Sequence, residues 1–275
     1  MTTVEEFAPA KVNLTLHITG QRADGYHLLD SLVAFPAVGD LVSASPADTL
    51  SLRVDGPKAA GVPTGPDNLM IKAARWLKPD GTAALHLTKA LPHPAGIGGG
   101  SADAAATLRA LSRLWDVPLP ATHETVELGA DVPVCMQAVP PQIMRGIGDE
   151  LTLEPGIPHF WMVLVHPGVD CPTGAVFARL DQKNNAPMSA QNGFYGFRDF
   201  VDWLALQRND LEAPAIAVAP VISDVLAALR QDAALARMSG SGATCFGLYE
   251  TEAQAEAAAN RLRHPDWWVV AGPLM

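Results

Sequence analysis

The run Leu91–Ala105, LPHPAGIGGGSADAA, limits the folds open to this chain more than any other stretch. From Gly96 to Gly100 only Ile97 is not glycine, and Ser101, Ala102 and Asp103 then lead into an alanine-rich segment. Glycine accepts positive φ and carries no side chain, so successive backbone N–H groups can point into one concavity. Bare positions at Gly98, Gly99 and Gly100 leave room for a bulky anion. The helix expected next adds its unpaired first amides and about half a positive charge at its N-terminus. Such a loop-to-helix junction suits a phosphate. A glycine turn with no ligand is the alternative for the run taken alone.

The familiar phosphate motifs do not fit. GxxxxGK[ST] fails because no lysine follows the glycines, and GxGxxG fails because its last position falls on Ser101 or Asp103. The HRD and DFG signatures of protein kinases are absent. The net charge of −10 argues against a nucleic-acid surface, which wants clustered Lys and Arg. An anionic ligand must therefore meet a local site. With 275 residues, 48% hydrophobic and 17% charged, the chain can bury a full core, holds two domains by length and is not disordered. Cys135, Cys171 and Cys245 are scattered and odd in number, which fits neither a zinc site nor a disulfide framework and suits a reducing cytoplasm. MTTVEEFAPAK is no signal peptide, and Pro214–Leu229 is too short and interrupted to span a bilayer. A soluble cytoplasmic protein is expected.

Lys11–Ile18 alternates, with Val12, Leu14, Leu16 and Ile18 on one face and Lys11, Asn13, Thr15 and His17 on the other. That period predicts a half-buried strand that puts Lys11 and Asn13 on a shared face. RADGYHLLDS reads as a polar turn holding Tyr26 and His27. Short strands are expected around Leu52 and around Leu85 and Leu87, and a helix from near Asp67 to Leu77. Ala104, Leu108, Leu111 and Trp115 recur at helical spacing after the glycine loop, and Pro118 and Pro120 end that helix. A second helix covers Thr122–Leu128, after which Gly129 releases the chain. Asp131 then stands beside an extended X-Pro stretch. Pro155–Pro158 looks like a connection between domains 1–155 and 156–275. Beyond it a strand at Phe160–Val165, helical turns from Thr173, a polar loop at Lys183–Gly193 and a helix at Ala219–Arg230 are expected. Arg237-Met238 ends a strand before a second glycine turn, Ser239–Gly242. A strand at Cys245–Tyr249, a helix at Thr251–Arg263 and a strand at Trp267–Ala271 complete an α+β second domain.

Three motifs spread along the chain resemble those of the galactokinase, homoserine kinase, mevalonate kinase and phosphomevalonate kinase superfamily. They are PAKVNLTLHITGQRADGYH, then PAGIGGGSADAA with LGADVPV, then MSGSGATCF. Within that superfamily the chain is most similar to the branch whose alcohol substrate carries a cytidine diphosphate, a step of the non-mevalonate isoprenoid route. The resemblance spans roughly residues 8 to 250. It implies an α+β fold with a ribosomal-protein-S5-like ATP domain followed by a ferredoxin-like α/β domain. It also implies ATP as phosphoryl donor, with Mg²⁺ accompanying it.

By the same resemblance, Asp131 accepts the proton of the attacking 2-hydroxyl and Lys11 holds that carboxylate and the transferring phosphoryl charge. ATP is met by Asn68, Leu69, Lys89, Pro92, His93, Pro94, Ala95, Gly96, Ile97, Gly98, Gly99, Gly100, Ser101, Ala102 and Asp103. Tyr26 and His27 match a cytidine-recognising pair, Thr173 and Phe177 the far side of that pocket, and Asn13 the strand face beside Lys11. Gly240, Ser241 and Gly242 match the third motif. Ser101 could assist Mg²⁺; no acidic metal cluster is visible, so the sequence names no metal ligand and leaves a protein-held metal open. The expected partner is a small cytidyl diphosphate, with no nucleic acid and no membrane, and the protein a monomer or homodimer. Pro94-Ala95, the short link from Trp115 to Gly129, and Cys135-Met136 depart from the family pattern. A homoserine- or mevalonate-type kinase and a non-catalytic nucleotide-binding regulator are the rival readings. Tyr26-His27 argues against the first, and retention of both Lys11 and Asp131 against the second.

Overall fold

The computed structural model describes residues 2–275 apart from Pro94, Pro155 and Asn192. From the N-terminus run β1 (Val4–Pro9), β2 (Val12–Asn13), β3 (His17–Gln21), β4 (His27–Ala34), β5 (Gly39–Ser45) and β6 (Ser51–Asp55). Helix α1 (Leu69–Leu77), β7 (Ala84–Thr88) and α2 (Gly99–Trp115) come next, then a 3₁₀ stretch (Thr122–Leu128) and α3 (Val132–Met136). Strands β8 (Gln142–Gly146), β9 (Glu150–Leu153) and β10 (Trp161–His166) lead to α4 (Thr173–Phe177), α5 (Phe197–Ala205), α6 (Glu212–Val218) and α7 (Val221–Leu229). Strands β11 (Leu235–Met238) and β12 (Cys245–Tyr249), helix α8 (Glu252–Arg261) and β13 (Trp268–Pro273) follow. The mixture is α+β, as expected.

The chain forms two compact units. The first comprises Met1–Ala10, Gly39–His93 and Gly98–Ala138, and the second comprises Lys11–Val38, Pro94–Ile97 and Val139–Met275. This division differs from a single cut between 155 and 156. Strand β4 is paired with β2 and β3 and, further along the chain, with β8, so residues 11–38 belong with the later sequence. The segment expected to link the domains includes Pro155, outside the described residues, and Pro158 lies in neither helix nor strand.

In the first unit, β1, β5, β7 and β6 form one sheet in that order, antiparallel except where β6 meets β7. Helix α2 packs on β1 and β5 and against α1 and α3. From Ala102 to Leu108 it is buried all round, and a run of alanines there lets the neighbouring elements approach closely. Gly98 starts α2 with φ 64°, a left-handed conformation that favours glycine.

In the second unit, one sheet runs β2-β4-β8-β9 with β3 also on β4, and the other runs β11-β12-β10-β13. Ile222, Val225, Leu226 and Leu229 of α7 and Ala255 and Ala258 of α8 share a core with Val163 and Val165 of β10. No helix among the described residues is long and apolar enough to cross a membrane.

Three local expectations give way. The strand expected from Lys11 to Ile18 is broken between Asn13 and His17, and every residue in it is buried rather than half of them. Leu14 N–H donates to Leu32 O (2.8 Å), while the Thr15 hydroxyl accepts from Leu32 N–H (2.8 Å), so a side chain replaces a rung of the ladder. His27 begins β4 and does not belong to a turn. The X-Pro stretch beside Asp131 is not extended: it forms α3, with Asp131 as N-cap and Pro133 in the first helical turn, where its missing N–H costs nothing.

Candidate active site

The residues implicated by the motifs divide between the two units. In the first unit the centre is a buried ion cluster. Lys89 Nζ donates to Asp40 Oδ2 and to Asp103 Oδ2, each at 2.6 Å, and the three side chains are 3%, 0% and 5% exposed. The other oxygen of Asp40 accepts from Ala90 N–H (2.6 Å) and Leu91 N–H (2.9 Å). Asp103 Oδ1 is buried with no hydrogen-bond partner among the described residues. Burial, opposed by Lys89 and reinforced by Asp40, pushes the Asp103 carboxyl up to about 7. Burial also works against the Lys89 charge, but the two carboxylates outweigh it and its pKa is raised. Two acids share one ammonium, so Asp103 is the group that takes up a proton.

Above this cluster, Ala102 N–H closes the first intrahelical bond of α2 onto Gly98 O (2.8 Å). The amides of Gly99, Gly100 and Ser101 precede it, outside the helix ladder, and no acidic residue occupies this turn. A Cβ built on Gly100 meets no atom within 4 Å, whereas one on Gly99 would lie 3.2 Å from Lys89 Nζ. Gly100 therefore borders open space, and Gly99 lets Lys89 pass beneath the turn. Asn68 caps α1: Oδ1 accepts from Met70 N–H (2.8 Å) and Nδ2 donates to Pro63 O (2.7 Å). Leu69 starts α1 half-buried, Pro92 is buried, and exposed His93 places Nε2 3.2 Å from Ala60 O. Asp131 is half-buried, and its side chain makes no capping bond to α3.

In the second unit, two glycine turns meet. Ala95 O accepts from Thr244 Oγ1 (2.6 Å) and Thr244 N–H (3.3 Å), and Ile97 O accepts from Lys11 N–H (2.9 Å). Gly96 (φ 70°) and Gly242 (φ 87°) approach so closely that a Cβ on Gly96 would strike the Gly242 carbonyl. A Cβ on Gly240, at φ 56°, would lie 2.9 Å from Gly96 O. Asn209 Nδ2 holds the second turn by donating to Met238 O (2.8 Å) and Gly240 O (2.9 Å). The Ser241 hydroxyl lies 2.8 Å from that of Thr173.

Lys11 is 5% exposed and Asn13 1%. Asn13 N–H donates to Ser239 Oγ (3.0 Å) and Asn13 Nδ2 to Ser31 Oγ (2.8 Å), whose own proton goes to Thr15 O (2.5 Å). That chain of donors fixes the amide so that Oδ1, buried and without a hydrogen-bond partner among the described residues, is left as an acceptor. Lys11 and Asn13 thus share a buried region in place of a solvated face.

His27 stacks on Phe177, with ring centroids 4.6 Å apart and planes at 28°. Its Nε2 is buried and has no hydrogen-bond partner among the described residues, and burial, with the Lys183 charge, lowers its pKa. The imidazole is therefore neutral at pH 7, with one donor and one acceptor nitrogen. Tyr26 is 60% exposed. Pro94 lies outside the described residues. Among the described residues no three His, Cys, Asp or Glu side chains gather where they could hold a metal ion.

The model described as the GHMP kinases N terminal domain matches residues 68–146, and that for the GHMP kinases C terminal matches residues 193–265. The 4-diphosphocytidyl-2-C-methyl-D-erythritol kinase of Ruegeria pomeroyi is 54% identical over 278 residues, covering 99% of each chain. That of Dinoroseobacter shibae is 58% identical over 268 residues, covering 96% of this chain and 92% of its own. A solved 4-(cytidine 5'-diphospho)-2C-methyl-D-erythritol kinase superposes with a TM-score of 0.78 at 32% identity over 98% of each chain. The chain belongs to the 4-diphosphocytidyl-2-C-methyl-D-erythritol kinase family. Homoserine kinase from Cytophaga hutchinsonii, at 17% identity and a TM-score of 0.66, shares the fold.

Two contributors of this family member escaped the motif reading. Asp40 follows Gly39 and reads as an ordinary turn aspartate. Arg109 lies on α2 yet bonds Glu6 Oε2 (2.8 Å), Phe7 O (3.0 Å) and, at the end of α3, Cys135 O (3.0 Å), tying β1, α2 and α3 together. An aspartate within a strand and a helical arginine carry no local signal, because their partners are distant in sequence.

Proposed function

We propose that this protein transfers the γ-phosphoryl group of ATP to the 2-hydroxyl of 4-diphosphocytidyl-2-C-methyl-D-erythritol. The observation that carries the reading is the likeness to relatives of that name along essentially the whole chain. Family membership implies ATP as donor. The first turn of α2 at Gly99, Gly100 and Ser101, free of acidic side chains, suits its phosphates. Asn68 and Lys89 act indirectly in this reading, since their polar atoms are already engaged within the protein. Mg²⁺ arrives with the triphosphate as part of the substrate, neutralising its oxygens.

Asp131 accepts the proton of the attacking hydroxyl, and Lys11 supplies positive charge to the transferring phosphoryl group. The carboxylate serves as a positioned base, while most rate enhancement comes from alignment and charge stabilisation. Asn13 Oδ1 accepts from a substrate hydroxyl. Neutral His27 pairs with the cytosine edge, and Tyr26 and Phe177 supply aromatic faces for the base. The site lies in the cytoplasm on this reading, in keeping with three buried cysteines that form no disulfide.

Purified protein with Mg-ATP and the cytidyl substrate should release ADP in a coupled assay. Asp131→Asn should lower kcat by about 10²–10⁴-fold, the usual worth of a general base. Undiminished ADP release in that variant would remove Asp131 from its role. A preference for homoserine over the cytidyl compound would remove the substrate assignment.

A further inference from the structure

The kinase reading gives no part to Asp40, yet this aspartate is fully buried and makes three hydrogen bonds at the start of the phosphate loop. One oxygen receives the Ala90 and Leu91 amides, the last backbone donors before the loop's prolines. The other receives Lys89, whose ammonium crosses to Asp103 in the second turn of α2. The Lys89 backbone is itself pinned, its N–H donating to Asp55 O (2.7 Å) and its carbonyl accepting from Lys58 N–H (3.0 Å). Both ends of the loop, the strand side and the helix side, thus converge on one buried ammonium.

We infer that Asp40, through Lys89 and Asp103, is a positioning residue for the nucleotide: it holds the two ends of the phosphate loop at a fixed separation before ATP arrives. A merely space-filling cluster would use apolar side chains, because burying three ionisable groups is often neutral or unfavourable against a well-packed hydrophobic alternative. Directional bonds to Ala90, Leu91 and the α2 turn set geometry as apolar contacts cannot. The glycine at position 99 fits the same purpose, since a Cβ there would crowd the Lys89 ammonium. Preorganised amides lose less freedom on binding an anion, so the benefit falls on nucleotide affinity.

The inference rests on the kinase reading, and its test separates the two. In the wild-type full-length protein, the Ala90 and Leu91 amides should exchange with solvent equally slowly with and without a non-hydrolysable ATP analogue, as followed by NMR. Asp40→Asn keeps the shape but replaces the Lys89 acceptor. It should raise the analogue's Kd and the KM for ATP about tenfold, with kcat and the KM for the cytidyl substrate changed less than threefold. Amides protected only after the analogue binds would overturn the inference. So would a folded Asp40→Asn protein with unchanged Kd, or one in which both KM values and kcat fall away together. If Asp40→Asn does not fold, the wild-type exchange measurement decides alone. Failure of the wild type to bind the analogue would sink the kinase reading, while amide exchange would still judge the cluster.

Discussion

Substituting alanine at Gly100 and at Gly96 should separate binding from folding. Gly100 is the second residue of α2, in a helical conformation, and a Cβ there touches nothing within 4 Å. Alanine is favoured over glycine in a helix by about 1 kcal/mol, less in the first turn, so Gly100→Ala should hold or slightly raise the Tm. The new methyl group occupies the open space next to the unpaired amides. If it displaces a phosphate from one charge-assisted hydrogen bond, worth roughly 1.5–3 kcal/mol, the KM for ATP rises about 10- to 100-fold. Gly96 behaves in the opposite way. Alanine at φ 70° costs about 1 kcal/mol, and its Cβ collides with the backbone of Gly242, which cannot swing aside. The shift endangers the bonds from Lys11 N–H to Ile97 O and from Thr244 to Ala95 O, each worth about 1 kcal/mol. A loss of roughly 2–4 kcal/mol lowers the Tm by about 5–15 °C in a chain of this size. Calorimetry and initial rates over a range of ATP concentrations read both effects. A Gly100→Ala protein with wild-type KM for ATP refutes the placement of phosphate at this turn, whatever its Tm.

Stability should also depend on His17, whose Nε2 accepts from Arg208 N–H (3.2 Å) while Nδ1 lies 3.2 Å from Ala186 O, fixing a neutral tautomer. Burial first, and the nearby Arg208 charge, lower its pKa below 6.5, so its contribution is present above that value and is lost as pH falls further. The Tm should decline as pH drops from 7 toward 5, and an NMR titration placing His17 above 6.5 contradicts the argument. Phe177→Ala removes the ring stacked on His27, an interaction worth about 0.5–1.5 kcal/mol beyond area. The KM for the cytidyl substrate should rise several-fold or more with the KM for ATP unchanged; equal rises in both would take Phe177 out of the base pocket.

Local sequence decided what local chemistry can decide. Helix α2 follows from apolar residues at helical spacing behind glycines, and β7, β10 and β12 follow from short alternating or apolar runs between turn residues. The glycine turns at 96–100 and 239–242 were legible because positive φ has almost one residue type to serve it. Strand β4 was not legible: His27–Ala34 is paired through β2, β3 and β8, and its burial depends on neighbours from residues 12 to 146. Nor was the difference among the glycines, since a Cβ on Gly96 would strike the carbonyl of Gly242, one on Gly99 would crowd the ammonium of Lys89, and one on Gly100 would meet no atom within 4 Å among the described residues. Asp40, Lys89 and Asp103 are unremarkable letters until folding buries two acids around one base, because the strength of an ionic contact is set by distance and by exclusion of water, and both belong to tertiary structure.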